Sequence, residues 1–252
     1  MAAWLLLALG APCGPRDVGL DLDLNSCTEL SLFNTSIGDK GASRIAKQLE
    51  TNENLIFLDL WNTGITASGA QAIATALAKN KKLERLYLNE NPLGPQGVAS
   101  IAKGLSANSH LRHLWLSRTK AGPDGAIALS EALKSKSVRL QALDLWENGI
   151  GSQGAKAIAQ ALHRQHSLVT LELRGNEIGD EGAAAFADMM PANVPLGTLD
   201  LLNNGITPSG RLLLIDGLRR SSARPYLIVF EDSIGPHQQR TSWEEQGMQN
   251  AP

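Results

Sequence analysis

Apolar residues along the chain follow two alternating patterns. In residues 55–60 the leucines alternate with other residues, as in a short strand with one buried face. In residues 69–77 the apolar side chains recur at the spacing of one face of a helix. The pattern therefore predicts a strand, a turn and a helix within one short segment.

This strand-turn-helix unit recurs along the chain. Its strands centre on leucines 28 or 29 residues apart, at Leu30, Leu58, Leu86, Leu114, Leu143, Leu171 and Leu199, and a truncated unit begins at Leu227. We predict a repeat domain over residues 27–235, with seven full repeats and a truncated closing repeat. Residues 1–26 are predicted to be an atypical N-terminal segment, either a cap remnant or a weak signal-like segment. Residues 236–252 lack periodicity and are predicted to be a disordered tail.

One repeat cannot fold alone. Burying about six aliphatic side chains contributes roughly 10–15 kcal/mol, whereas ordering about 28 residues costs roughly 1–2 kcal/mol each. Stacked neighbours supply the missing burial, and small residues such as Gly154, Ala155 and Ala159 allow helices to approach the adjoining backbone closely. We predict an α/β fold, a right-handed solenoid shaped like a horseshoe, with parallel strands on the concave face and helices on the convex face.

The motif LxxLxLxxN, followed by IGxxGAxxIAxxL, resembles the leucine-rich repeat of the ribonuclease-inhibitor type. Similar repeats form arrays in NOD-like receptors and in the Ran GTPase-activating protein. The asparagine position of the motif holds asparagine in four repeats and threonine in three: Asn91, Asn148, Asn176, Asn204, Thr35, Thr63 and Thr119. A threonine hydroxyl can still satisfy a buried backbone group. The resemblance implies the solenoid fold and a binding role, and it leaves the partner open.

Residues between the leucines of each strand are expected to face solvent on the concave side. Six of the eleven aromatic residues occupy such positions: Phe33, Phe57, Trp61, Tyr87, Trp115 and Trp146. Exposed aromatic rings among charges are typical of protein-binding surfaces. Alternatively, the rings pack on one another as ladders that stabilise the sheet without a partner. Because the rings use three different positions of the repeat, we favour binding.

The concave positions also carry an excess of acid. They hold seven acidic residues and three arginines: Glu29, Asp59, Glu90, Asp144, Glu147, Glu172, Asp200, Arg85, Arg118 and Arg174. This predicts a protein partner with a basic or mixed surface. The formal net charge of −2 predicts no nucleic-acid partner and no membrane partner, and we expect a monomer.

The candidate partner-binding residues combine both groups. In chain order they are Phe33, Phe57, Asp59, Trp61, Arg85, Tyr87, Asn89, His113, Trp115, Asp144, Trp146, Glu172, Arg174 and Asp200.

No catalytic, metal or cofactor site is predicted. Residues 149–154 spell GxGxxG, but their glycines belong to positions that recur in the other repeats. His163 and His166 have helical spacing without an evident third metal ligand. His113 and Ser117 lie on an open wall, which offers no dry pocket for acid-base chemistry.

We therefore predict a non-enzymatic protein-interaction module. The resemblance suggests innate-immune-type sensing or regulatory scaffolding, and the alternative is a GTPase-activating protein of the Ran-directed type. We expect a cytoplasmic protein in which Cys27, at a leucine position, is a small buried thiol. Secretion is the alternative location, because residues 4–9 form a short apolar run.

Overall fold

The computed structural model of the protein describes residues 11–13, 24–192, 195–221 and 227–229. The predicted tail at 236–252 and most of the predicted atypical segment at 1–26 lie outside the described residues.

Nine short strands form one parallel sheet in sequence order within the described part of the chain. They are β1 Ala11–Cys13, β2 Cys27–Ser31, β3 Phe57–Asp59, β4 Arg85–Tyr87, β5 His113–Trp115, β6 Ala142–Asp144, β7 Thr170–Glu172, β8 Thr198–Asp200 and β9 Leu227–Val229. Equivalent positions of neighbouring repeats pair directly, so that Leu58 lies opposite both Leu30 and Leu86. The repeat period therefore sets the register of the sheet.

Seven helices alternate with these strands. They are α1 Gly38–Leu49, α2 Ala67–Lys79, α3 Gly94–Ala107, α4 Gly122–Leu133, α5 Gly151–Leu162, α6 Gly179–Met189 and α7 Pro208–Arg220. Each helix packs against the next, and the strands form the opposite layer. The predicted fold is confirmed: the protein is an α/β solenoid with strands on its concave face and helices on its convex face.

The core lies between the two layers and runs the length of the array. The central leucine of every full repeat, from Leu30 to Leu199, is completely buried. Small residues bring the helices together, as at Gly104, where an added Cβ would lie 2.4 Å from the carbonyl oxygen of Ala74 in the preceding helix. Burial is therefore shared between repeats, as the stacking argument requires.

The helices begin in two different ways. Gly94, Gly122 and their equivalents have a positive φ near 60°, which glycine adopts without strain. Two repeats have threonine there, and an aspartate of the preceding repeat contacts it. Asp39 accepts hydrogen bonds from the Thr66 hydroxyl at 2.6 Å and from the Thr66 and Gly69 amides. Burial alone would raise the pKa of Asp39, but these hydrogen bonds outweigh it and the pKa is lowered. Asp180 and Thr207 repeat the arrangement.

Buried asparagines join each repeat to its predecessor. The Asn91 amide nitrogen donates to the Leu60 carbonyl at 2.7 Å, and its oxygen accepts from the Thr63 and Ile65 amides at 3.1 and 2.9 Å. Where threonine replaces asparagine, the Thr63 hydroxyl donates to Leu60 and the Thr119 hydroxyl donates to Leu116, each at 2.8 Å. The expected role of threonine at this position is confirmed for these two repeats.

A second row of buried asparagines lies where the helices end. Asn80 donates to the Leu49 and Asn52 carbonyls at 2.7 and 3.0 Å, and Asn108 repeats these contacts one unit later. This row provides hydrogen-bond donors for buried backbone carbonyls on the helix side of the core.

Cys27 is fully buried and forms a disulfide bond. The interpretation of this residue as a free thiol is therefore wrong, although its predicted burial is correct. Among the described residues, no helix combines the length and the apolar character needed to cross a bilayer.

Candidate protein-binding face

The concave wall consists of the residues on either side of each central leucine, together with the two residues that follow the next buried leucine, such as Phe33 and Asn34 after Leu32. In β3, Leu58 is completely buried whereas Phe57 and Asp59 on either side of it are partly exposed. The same alternation occurs in β4 to β7. The structure thus places the predicted candidate residues along one sheet face.

An aromatic cluster of Phe57, Tyr87 and Trp115 spans three strands of this wall. The Tyr87 and Trp115 rings stack with 3.9 Å between centroids and 4° between planes, and Phe57 meets Tyr87 edge-on at 4.8 Å. Burial raises the pKa of Tyr87 to about 12. The rings pack on one another, as the ladder interpretation proposed, yet each keeps part of its surface exposed.

A second aromatic pair lies at the N-terminal end of the wall. The Phe33 and Trp61 rings meet edge-on at 5.5 Å, and Phe33 remains 48% exposed. Between this pair and the aromatic cluster, the Asp59 carboxylate accepts hydrogen bonds from the Ser31 hydroxyl at 2.7 Å and the Trp61 amide at 3.0 Å. The wall therefore presents aromatic side chains from β2 to β5.

Arg118 contacts three side chains at the centre of the wall. Its guanidinium donates to Glu147 at 2.7 Å and to Glu90 at 3.0 Å, and it lies 4.5 Å above the Trp146 ring. Glu90, Arg118 and Glu147 all have left-handed backbone, with φ of 55°, 55° and 49°. Such backbone costs non-glycine residues roughly 1–2 kcal/mol each. Asn34, Asn62 and Asn203 have the same backbone at the equivalent position, so the turn of the repeat imposes it.

Arg85 and His113 lie beside the aromatic cluster. Arg85 pairs with Glu29 at 2.9 Å and lies 4.7 Å from the Phe57 ring centroid. Burial, and then the nearby Arg85 charge, lower the pKa of His113. This shift favours the uncharged form of the His113 imidazole.

An acidic cluster of Asp144, Glu172 and Asp200 occupies the C-terminal half of the wall. The three residues are direct neighbours on β6, β7 and β8. Arg174 pairs with Asp200 at 2.9 Å. Burial, and then the Asp200 and Asp144 charges, raise the pKa of Glu172 to about 8, and burial raises that of Asp144 to about 6. One arginine serves three carboxyl groups, and the raised pKa values mean that bound protons supply part of the missing positive charge near neutral pH.

The acidic cluster predicts that stability falls as pH rises. A folded-state pKa above the unfolded value means that the folded protein binds more protons over the interval between the two, from pH 4.5 to about 8 for Glu172. Glu172→Gln should therefore stabilise the protein at pH 8 by about 1–2 kcal/mol, allowing for solvent screening at this partly exposed site. It should also flatten the pH profile of urea unfolding. Glu53→Gln in an exposed loop is the control. A steeper profile in Glu172→Gln would contradict the assignment.

Two candidate residues are less accessible than strand alternation predicts. Asn89 is 2% exposed and Asp200 is 6% exposed. Arg174 contacts the Asp200 carboxylate, which also accepts the Leu202 amide. The Asn89 side-chain oxygen is buried without a hydrogen-bond partner among the described residues. A partner would therefore contact mainly the side chains around these two.

Sequence reasoning missed the contacts that join side chains of different repeats. Arg118 contacts Glu90 and Glu147, and Asp39 contacts Thr66. In each of these pairs the two residues are close to one repeat length apart in the chain. The second asparagine row carried a visible signal, because Asn52, Asn80 and Asn108 are spaced by 28 residues.

One known protein family matches most of the repeats of this array. The family described as "Leucine Rich repeat" matches six segments, at residues 24–46, 51–74, 79–102, 107–130, 139–159 and 164–187. One similar solved structure is "Leiomodin-1 Actin-Binding Site 2 (ABS2)", with 19% sequence identity, a TM-score of 0.42, and coverage of 69% of this chain and 84% of that chain. No curated protein matches the chain.

Proposed function

Because the chain belongs to the leucine-rich-repeat family, we propose that its concave wall binds a protein partner whose surface is basic or mixed in charge. The observation that carries this proposal is the combination of partly exposed aromatic rings with carboxylates that no basic side chain of the wall neutralises. Interfaces of this kind place aromatic anchors at the centre and charges around them.

The charge argument follows from the ion pairs of the wall. Its three arginines each pair with carboxylates: Arg85 with Glu29, Arg118 with Glu90 and Glu147, and Arg174 with Asp200. Asp59, Asp144 and Glu172 form no ion pair in the described structure. A lysine or arginine of the partner would supply the missing cation.

The raised carboxyl pKa values add a selective feature. A cation placed beside Asp144 and Glu172 favours their ionised forms, so binding would release protons near neutral pH. A neutral or acidic partner would gain nothing from this cluster. The wall thus discriminates among partners by charge as well as by aromatic contact.

The main test removes two aromatic anchors and measures peptide binding. Peptides selected from a random phage-displayed library on the wild-type protein should be rich in lysine and arginine. Trp115→Ala with Trp146→Ala should weaken their binding by more than about 2 kcal/mol. Because Trp115 stacks on Tyr87, we also expect a stability loss of about 1 kcal/mol.

Leu212→Ala with Leu213→Ala is the matched control, since both leucines are exposed on α7, in the helical layer away from the wall. This pair should leave peptide binding unchanged. Equal peptide binding by the two double variants would remove the concave wall from consideration.

A panel of GTPases separates this proposal from the alternative raised by the sequence. A passive binding module leaves their hydrolysis rates unchanged, even at saturating concentrations of the solenoid. Acceleration of any GTPase would replace the binding proposal with the GTPase-activating one.

A further inference from the structure

Basic residues are concentrated along one rim of the solenoid. We define the basic rim as the four loops that lead from a helix to the next strand at residues 80–84, 108–112, 134–141 and 163–169. These loops contain seven basic residues and one acid: Lys81, Lys82, Arg112, Lys134, Lys136, Arg139, Arg164 and Glu84. A net charge of −2 for the whole chain conceals this separation.

The loops of the basic rim lie side by side. Their backbones are linked by hydrogen bonds from Glu84 to Ile56, Arg112 to Glu84, Gln141 to Arg112 and Val169 to Gln141, each from amide to carbonyl at 2.7–2.9 Å. The in-register strands beyond them keep the spacing regular. The cations therefore form a row along the edge at which the strands begin.

Most of these cations are available to a ligand. Lys81, Lys82, Lys136, Arg139 and Arg164 are exposed, and Arg112 is partly exposed. None of the six forms a salt bridge with a described residue, whereas Lys134 pairs with Glu131. The Arg112 guanidinium donates to the Arg139 carbonyl at 3.1 Å, and the Arg139 guanidinium donates to the Lys136 carbonyl at 2.6 Å. These hydrogen bonds hold two guanidinium groups at the rim.

Helix stabilisation explains only part of the row. A cation near the C-terminus of a helix interacts favourably with the helix dipole, and the effect is confined to the last turn. Lys134 directly follows α4 and Arg164 lies two residues beyond the end of α5, so both fit this explanation. Arg112 lies five residues beyond the end of α3 and Arg139 lies six beyond the end of α4, so neither does.

Exposed apolar side chains flank the row. Ile56 is 38% exposed and Val169 is 47% exposed, and both occupy the repeat position that holds Glu84, Arg112 and Gln141 in the three repeats between them. A surface that combines a line of cations with apolar side chains at its ends suits the interface of an anionic bilayer.

We propose that the basic rim rests on anionic phospholipid headgroups, and that it does so independently of the concave wall. The four loops contain no phenylalanine, tyrosine or tryptophan on which nucleobases could stack. The cations lie in an open row on loop surfaces, which suits a planar array of headgroups. Each basic side chain near such a surface strengthens binding by about fivefold.

Co-sedimentation with phosphatidylcholine vesicles, with and without phosphatidylserine, tests the proposal. We expect binding that requires phosphatidylserine and weakens as salt is raised. Lys82→Glu with Arg139→Glu should reduce this binding by at least about tenfold.

Lys40→Glu with Arg44→Glu on α1 changes the net charge equally but lies away from the rim, and it should retain nearly all vesicle binding. Absence of vesicle binding, equal loss in both charge-reversal variants, or binding to polyglutamate without binding to vesicles would each overturn the proposal.

The outcome is separable from that of the proposed concave-wall function. The variant carrying Trp115→Ala and Trp146→Ala should bind vesicles as the wild type does, while the rim variant should still bind the selected peptides.

Discussion

Replacing Asn176 with alanine is expected to destabilise the solenoid by about 3–4 kcal/mol. The Asn176 amide nitrogen donates to the Leu145 and Leu173 carbonyls at 2.8 and 2.9 Å, and its oxygen accepts from the Asn148 and Ile150 amides at 2.9 and 3.3 Å. Alanine would leave these groups without partners inside the core, and an unsatisfied buried group costs about 1–3 kcal/mol.

Chemical denaturation measures this effect, and Asn176→Thr is its matched control. Threonine occupies the equivalent position at Thr63, where its hydroxyl satisfies one carbonyl. We therefore expect Asn176→Thr to lose about half as much stability as Asn176→Ala. A loss below about 1 kcal/mol in the alanine variant would show that water replaces the asparagine and that the row is not a main source of stability.

The second large effect is expected at Gly104, where alanine should cost about 2–3 kcal/mol. Its Cβ would lie 2.4 Å from the Ala74 carbonyl oxygen and 3.0 Å from the Ala74 Cα, so α2 and α3 would have to separate. The intrinsic helix preference of alanine offsets about 1 kcal/mol of this cost.

Gly149→Ala provides the comparison for Gly104→Ala in thermal and chemical unfolding. No atom lies within 4 Å of the Cβ position at Gly149, but its φ is 62°, so only backbone strain of about 1 kcal/mol is expected. If both variants were equally stable, close helix packing at Gly104 would not limit the stability of the array.

Periodicity predicted the fold because one unit determines all the others. The interval from Leu30 to Leu58 sets the sheet register, and the small residues of the helices mark where they approach each other. The direction of the strand side chains follows from alternation alone, which is why most candidate residues lie on one face. Contacts within that face depend on side-chain rotamers and could not be predicted.

The exposure of Asp200 illustrates this limit. Its position in the strand predicts a solvent-facing side chain, but Arg174 and the Leu202 amide enclose it. Likewise, Tyr87 and Trp115 occupy neighbouring positions, but no sequence pattern predicts that their rings stack. The basic rim was missed for a different reason. The net charge of the chain does not record where along the chain the charged residues lie.

The asparagine rows also give the array a direction. Asn204 satisfies groups of the preceding repeat, at Leu173 and Asn176, just as Asn91 satisfies groups around Leu60 and Thr63. A unit therefore depends on its successor for the pairing of its turn. It also depends on its predecessor, because Asp39 accepts the amides at the start of α2 and Asn80 donates to the Leu49 carbonyl. Shortened versions of this solenoid would accordingly need a new polar cap at whichever end is trimmed.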